Sequence, residues 1–386
     1  MAVEKIMGAG GDTPVKTIQE VELSVEEIPI EPNVLQFEDG SALVGETEEE
    51  LSVQPQDLPY DANLADYIDE AELAVISSDL VGSIDDDLSS RKEWEDTYKR
   101  GIDLLGMKYE DRAQPFEGAT GVVHPLLAES VTQFQAQAYR ELLPAGGPVR
   151  TQIIGAENPE VVKQAERIKD YMNYQITYEM EEYDPELDQM LFYLPIIGST
   201  FKKVYFDPLL QRPVSKFVHA EDLVVPYTAT DLFSSSRVTH VVKMNKNEIL
   251  KLQVSGFYTD VDLPGDGYGA EDYSEVQESI NDVDGIQPSG TNEDIVLYEV
   301  HTDLDLTGFE DLDADGEPTG IKLPYIVTII EKSGKVLSIR RNYDIEKPLQ
   351  KKQYFVHYKF LPGLGFYGFG LTHMIGNLAQ GATSLL

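Results

Sequence analysis

The sequence predicts an α+β protein, with long helices followed by an antiparallel, β-rich part. Three observations carry this. Between Ser90 and Gly198 apolar residues recur at helical spacing. After Gly198 the period changes to alternation. Turn signals such as Asp207-Pro208 and Ser333-Gly334 then join neighbouring runs as hairpins.

Residues 1–89 are set apart by composition, with 23 acids and two bases. Their short apolar clusters have no sustained period, so they bury too little surface to offset ordering entropy. The expectation is an acidic, largely disordered arm. Its best helical stretch is residues 61–80, anchored by Leu64, Ile68, Leu73 and Ile76.

Residues 90–200 form the helical part. Ser90-Arg91-Lys92-Glu93 reads as a capping box. Trp94, Tyr98, Ile102 and Leu105 follow on one face, with Trp94, the single Trp, expected in the core. His124-Pro125 opens a second helix with Leu127, Val131, Phe134, Ala138 and Leu142 as its stripe. Thr132, Gln133, Gln135 and Gln137 give its other faces an uncharged polar character that suits contact with protein. A short strand is expected over residues 149–154. Asn158-Pro159-Glu160 starts a long helix carrying Val161, Ala165, Ile168, Met172, Ile176 and Met180, and Asp184-Pro185-Glu186 starts a shorter one. Several tyrosines decorate these helices and are expected to be core.

Residues 201–360 form the β-rich part. Strands are expected over 201–206, 214–219, 223–226, 237–244, 325–331, 335–341 and around 296–301 and 354–360, with Asn245 capping a short helix. Residues 257–294 are acidic and Gly-rich and read as a long, mobile surface excursion. Residues 361–386 combine a Gly-rich hinge (Gly363, Gly365, Gly368, Gly370) with a helix whose stripe is Leu371, Ile375, Leu378, Ala382 and Leu385. The chain stops without a C-cap, which suggests a longer parent.

Composition narrows the function. At about 150 residues per domain, 386 residues predict two or three domains. Hydrophobic content of 41% supports real cores, and the formal charge is −39. So acidic a chain does not grip DNA or an anionic membrane over its whole surface. There is no cysteine, which removes disulfides, thiolate catalysis and Cys-ligated metals. No apolar run reaches membrane-spanning length and no signal-peptide pattern opens the chain, so a soluble, unexported protein is expected.

The chemical motifs are weak. Gly363-Leu364-Gly365-Phe366-Tyr367-Gly368 matches a dinucleotide loop, but the strand before it alternates and Phe366 and Tyr367 would crowd a pyrophosphate. Asp311-Leu312-Asp313-Ala314-Asp315-Gly316 resembles half a calcium loop, yet Lys322 stands where a bidentate Glu belongs, so an acidic turn is expected. His124, His219, His240, His301, His357 and His373 form no metal-ligand spacing and are expected to be structural. No catalytic set emerges, so a non-enzymatic assembly protein without cofactor or metal is expected.

The order of several segments resembles a known family. Gly118-Ala119-Thr120-Gly121-Val122-Val123-His124-Pro125-Leu126 leads into the Gln-rich helix ending at Leu142-Leu143-Pro144. Gly198-Ser199-Thr200-Phe201-Lys202-Lys203-Val204-Tyr205-Phe206-Asp207-Pro208 and His219-Ala220-Glu221-Asp222-Leu223-Val224-Val225 follow. Phe355-Val356-His357-Tyr358, the Phe-Tyr-Gly-Phe-Gly run at 366–370 and Gln380-Gly381-Ala382-Thr383 complete the series. Over residues 90–386 it resembles the portal (head–tail connector) proteins of tailed bacteriophages, especially the short-tailed ones.

The resemblance implies a homo-oligomeric ring, usually a dodecamer, at one capsid vertex of the virion. Such a ring is assembled in the host bacterial cytoplasm, and double-stranded DNA passes through it without sequence specificity. Implied partners are the terminase large subunit, the major capsid protein or scaffold, and a tail adaptor; no membrane is implied. By analogy residues 90–360 would be mostly wing and Leu371 onward a stem helix, whereas the family's clip, second stem helix, channel loop and crown have no counterpart here. An acidic wall would let DNA slide without counterion release. Ring closure needs a head-to-tail interface, for which the candidate residues are Gln133, Phe134 and Gln137 in one helix and Ile168, Met172 and Ile176 in the next. Two alternatives stand beside this: another virion scaffold or adaptor protein, and a nucleotide-binding enzyme using the 363–368 loop.

Overall fold

The computed structural model describes residues 34–36, 42–44, 58–107, 123–207, 210–265, 273–287, 294–313 and 317–385. The chain divides into two units, residues 1–57 and 58–386. In the first, β1 (Val34–Gln36) and β2 (Ala42–Val44) form an antiparallel hairpin. The rest of the expected arm up to residue 57 lies outside the described residues, as do residues 118–122 of the first quoted segment.

The second unit is α+β, and every strand pair described is antiparallel. Its helices are α1 (Glu70–Ser90), α2 (Lys92–Leu105), α3 (Leu126–Leu142), α4 (Pro159–Tyr174), α5 (Tyr183–Ile197), α6 (Lys246–Val254), α7 (Glu275–Asp284) and α8 (Leu371–Leu385). A π-helical turn, Gln175–Glu179, extends α4. No helix among the described residues is long and apolar enough to cross a membrane.

Two sheets organise the strands. Strands β5 (Leu223–Val224), β6 (Arg237–Asn245), β7 (Asp294–Leu304), β8 (Leu323–Ile330) and β9 (Val336–Arg341) form one sheet in that order. The other has β3 (Ser199–Asp207) at its centre, with β4 (Arg212–Val218) on one side and β12 (Phe355–Lys359) on the other. A small hairpin, β10 (Tyr343–Asp344) with β11 (Lys347–Lys351), separates β9 from β12. The strands predicted after residue 200 and the Asn245 cap are present; the cap side chain accepts from the Asn247 amide.

Four expectations need correction. The acidic arm does not extend to residue 89, because residues 58–90 are part of the fold. Leu64 and Ile84 are fully buried beside Tyr325 and Val327 of β8. The side chain of Asn63 bonds the Ile339 amide and the Leu337 carbonyl, capping the open edge of β9. Second, Ser90 does not cap α2; it ends α1, and its hydroxyl donates to the Asp87 carbonyl. Third, residues 149–154 form no strand. The Val149 amide and carbonyl are both bonded by the Asn173 side chain instead. Fourth, the 257–294 excursion contains α7, capped by Ser274 and packed on α2 through buried Val276 and Ser279.

The last helix turns differently from its leucine stripe. Thr372, Gly376 and Ala379 are buried, while Leu378 and Leu385 are exposed. Close approach explains this: a side chain at Gly101 would strike Thr372, and Thr372 Oγ1 donates to the Ile196 carbonyl at 2.8 Å. Small residues alone let these backbones come together.

Candidate functional site

A buried polar joint lies between the two sheets. Lys203 of β3 donates to both carboxylate oxygens of Glu299 of β7 at 2.6 Å, and His301 Nε2 lies 2.8 Å from the same carboxylate. Burial works to raise the Glu299 pKa, but the Lys203 charge and the His301 hydrogen bond outweigh it and hold the group well below the usual range. His240, beside them, is pushed down to about 3 by burial first and by the Lys203 charge second. The Phe355 ring is edge-on to both histidines. The three groups form a charge-paired contact between β3 and β7.

The other histidines are also mostly structural. His357 Nε2 pairs with Ser199 Oγ at 3.0 Å, and His373 Nδ1 accepts from the Gly370 amide. Three of the rings are not fully bonded: Nδ1 of His124, His219 and His240 has no hydrogen-bond partner among the described residues. No group of three or more acidic or histidine ligands among the described residues has the geometry to hold a metal. Two carboxylates of the acidic turn are bonded within it, Thr319 Oγ1 donating to Asp311 and the Glu317 amide to Asp313; residues 314–316 lie outside the described set.

Arg91 organises a second polar cluster. Its guanidinium donates to the carbonyls of Leu223, Ala220 and Glu221, to the Glu95 carboxylate and to the Tyr367 hydroxyl. Trp94, on the next turn, stacks on Tyr367 at 4.1 Å. Nearby, the Glu221 carboxylate accepts from Ser274 Oγ, while Lys99 pairs with Glu275 at 2.7 Å, so this cluster also seats α7.

Asp222 lies beside Glu221 in that cluster, and its carboxyl is expected to make stability depend on pH. Its carboxyl is pushed up from 3.8 to about 7, first by burial and then by the neighbouring Glu221. The folded chain therefore holds this proton more tightly than the unfolded one. Stability from this group is full below about pH 4, falls as pH rises to about 7 and is level above. Asp222→Asn keeps the shape and has no proton to lose. Its melting temperature is expected to exceed the parent's at pH 8 and to converge with it near pH 4. Parallel melting-temperature profiles for the two proteins would contradict the assignment.

The glycine-rich segment is clamped to the end of α5. Gly198 ends that helix at φ +94°, and a side chain on Gly368 or Gly370 would run into the backbone of residues 196–198. Gly363 faces the Tyr367 carbonyl, whereas Gly365 meets nothing. The loop follows an antiparallel strand, and Phe366 is buried against Phe201 and His357. Aromatic rings thus turn inward from the loop matched to dinucleotide binding.

The residues expected at a subunit interface separate in space. Gln133 and Gln137 are exposed on α3, while Gln135 is spent on Asp188 of α5. Phe134 packs within the chain, edge-on to Phe360 at 5.1 Å, because it lies on the stripe facing α5. Ile168 and Met172 remain 45% and 42% exposed, and Ile176 is half-buried. Indeed α4 buries no residue, and the tyrosines expected in its core are outside, with Tyr178 74% exposed.

Sequence reasoning overlooked an apolar patch on the three-stranded sheet. Val204, Phe206, Val356 and Tyr358 share its outer face and are all exposed. The alternation was legible, but which face α5 would cover was not. A second signal also went unread: residues 347–386 contain no Asp or Glu.

No protein-family model matches this chain, and comparison with curated proteins gives no match.

Proposed function

We propose that this chain is a subunit of a portal-type ring. Twelve copies would surround a hole at a capsid vertex of a tailed phage, and double-stranded DNA would enter and leave through it. In this reading the helical and β-rich parts correspond to the wing and α8 to the start of the stem. Terminase, capsid or scaffold protein and a tail adaptor are the partners, and the ring carries out no chemistry of its own. The ordered series of segments supports the reading, as does an acidity that offers a passing polyanion few phosphate contacts.

One observation carries the assembly claim. Helix α4 and its π turn run for 21 residues, about 30 Å, with apolar side chains and tyrosines facing outward. Isolated helices of this length are marginal in water and are stabilised by packing an apolar face. The segment carries four acids and three bases, so it is nearly neutral within a chain of −39. It is therefore where one copy can approach another with little charge repulsion.

The parent chain at moderate salt is expected to give a closed oligomer by native mass measurement and an annulus in micrographs. The double variant Ile168→Glu, Met172→Glu is expected to remain folded, with the melting temperature of the dissociated parent, and to stay monomeric. A parent that is monomeric at every salt concentration overturns the reading. A filament or a disc without an opening favours a scaffold or adaptor role.

A further inference from the structure

We propose that α7 is a releasable flap: it stays seated while Glu221 and Asp222 hold a proton between them, and it lifts when both carboxyls are charged.

The seat is anchored more firmly than the helix. Arg91 donates to the carbonyls of Ala220, Glu221 and Leu223, and the Val241 amide of β6 donates to the Asp222 carbonyl at 2.8 Å. The backbone that carries the two carboxyls is thus held from two sides. Helix α7 has ten residues, too few to be stable alone in water. It buries Val276 and Ser279, and Ile280 and Val283 pack less completely on the core that holds Tyr98 and Ile102. Two polar links hold its start: Ser274 Oγ donates to Glu221 at 2.9 Å, and Lys99 pairs with Glu275 at 2.7 Å. The second link is exposed to solvent and contributes little. Seating therefore depends on a small apolar face and on the contact with Glu221.

Charge is what lifts it. Helix α7 carries four acids and no base. Facing the carboxyl pair, α2 brings Arg91, Glu95 and the Tyr98 hydroxyl, which has no hydrogen-bond partner among the described residues. Strand β6 brings Lys243, and the Ser274 hydroxyl comes from the start of α7. Tyr193 of α5 feels both Glu221 and Asp284 of α7. His219 in the same loop is pushed down to about 4 by burial and then by Lys243, so it is neutral at higher pH. Arg91 is already paired with Glu95 at 2.7 Å, and Lys243 also lies 6.0 Å from the Tyr273 ring centre. Burial outweighs both cations. It raises Asp222 to about 7, helped by Glu221, and it raises Glu221 despite the Ser274 hydrogen bond. A second charge in this place lies next to the first and against an acidic helix. Lifting α7 lets water reach both carboxyls and returns them toward their ordinary values. Seating is therefore strongest below about pH 4, weakens as pH rises to about 7 and is level above.

Because the chain has no cysteine, one introduced thiol reports on α7. Ser279→Cys places it on the buried side of the helix, and Gln287→Cys in the exposed residues beyond serves as the reference. Protection is the reference labelling rate divided by the Ser279→Cys rate, measured on the full chain with a methanethiosulfonate reagent. It is expected to fall about ten- to a hundredfold between pH 5 and pH 8. With Asp222→Asn added, protection is expected to stay at its pH 5 level. Ser338→Cys, buried in β9, is expected to stay protected throughout, which separates release of α7 from unfolding of the whole unit. Amide exchange of residues 275–284 in the unsubstituted chain, divided by the intrinsic rate, should follow the same profile. Where the two readouts differ, the unsubstituted chain decides. Exchange protection that is flat from pH 5 to pH 8, a fall that persists in Asp222→Asn, or an equal loss at Ser338→Cys overturns the proposal.

Discussion

Replacing Arg91 with Met is expected to destabilise the fold by about 3–5 kcal/mol, the range for removing one partner of a buried charged network. The side chain has 6% of its surface exposed and reaches three backbone carbonyls, Glu95 and Tyr367. Met fills the space but donates nothing, so the carbonyls of Ala220, Glu221 and Leu223 lose a donor and regain no water. Lys keeps the charge but lacks the planar fork that reaches several acceptors at once, so Arg91→Lys is expected to recover less than half of the loss. The check is chemical denaturation of both variants at one fixed protein concentration, because assembly would otherwise shift the midpoint. Two variants within about 1 kcal/mol of the parent would show that the carbonyls are satisfied without Arg91.

The second large effect is expected at Gly198. This residue ends α5 in the left-handed region, where a Cβ costs roughly 1–2 kcal/mol. An added Cβ would also lie 2.5 Å from the Gly370 amide nitrogen and 2.6 Å from the Gly368 carbonyl oxygen. These neighbours are backbone atoms in a packed segment and have no rotamer to change, so overpacking adds about 1–3 kcal/mol. Gly198→Ala is therefore expected to cost about 2–5 kcal/mol in all. Gly365→Ala is the control: nothing lies within 4 Å of its Cβ position, and the melting temperature should hardly move. Equal effects at the two sites would mean that the 363–370 segment is not held against α5.

Much of the fold was legible because each element records its environment in its own period. The change at Gly198 marks the end of α5 and the start of β3, with Gly198 as the left-handed cap between them. Asn158 caps α4 as its spacing indicates, accepting from the Val161 amide at 2.8 Å. The Ser333-Gly334 hairpin lies between β8 and β9, with Gly334 at φ +65°. The apolar stripe of α4 was legible too, but not what it would face; among the described residues nothing buries it.

Arg91 and α1 show why the rest was not legible. The run Asp85, Asp86, Asp87 gives the end of α1 the look of a solvated acidic tail. Yet Asp87 is buried, because Arg237 of β6, 150 residues away, pairs with it. Arg91 reads as part of a capping box until the loop at 220–223 and Tyr367 close around it. On α8, leucines suggest one buried face, while the approach of α2 and α5 selects the small residues on another.

By itself the sequence determined that the fold is α+β, where most of its helices and strands lie apart from α1 and α7, and that a heavily acidic chain carries a nearly neutral helix. Tertiary structure alone decided that β12 pairs with β3 rather than joining the larger sheet, which charges are buried with partners, and which apolar faces stay open. The reason is range. Periodicity and caps are set by neighbours within a few residues, whereas burial of a charge or coverage of a face depends on groups that meet only when distant segments pack together.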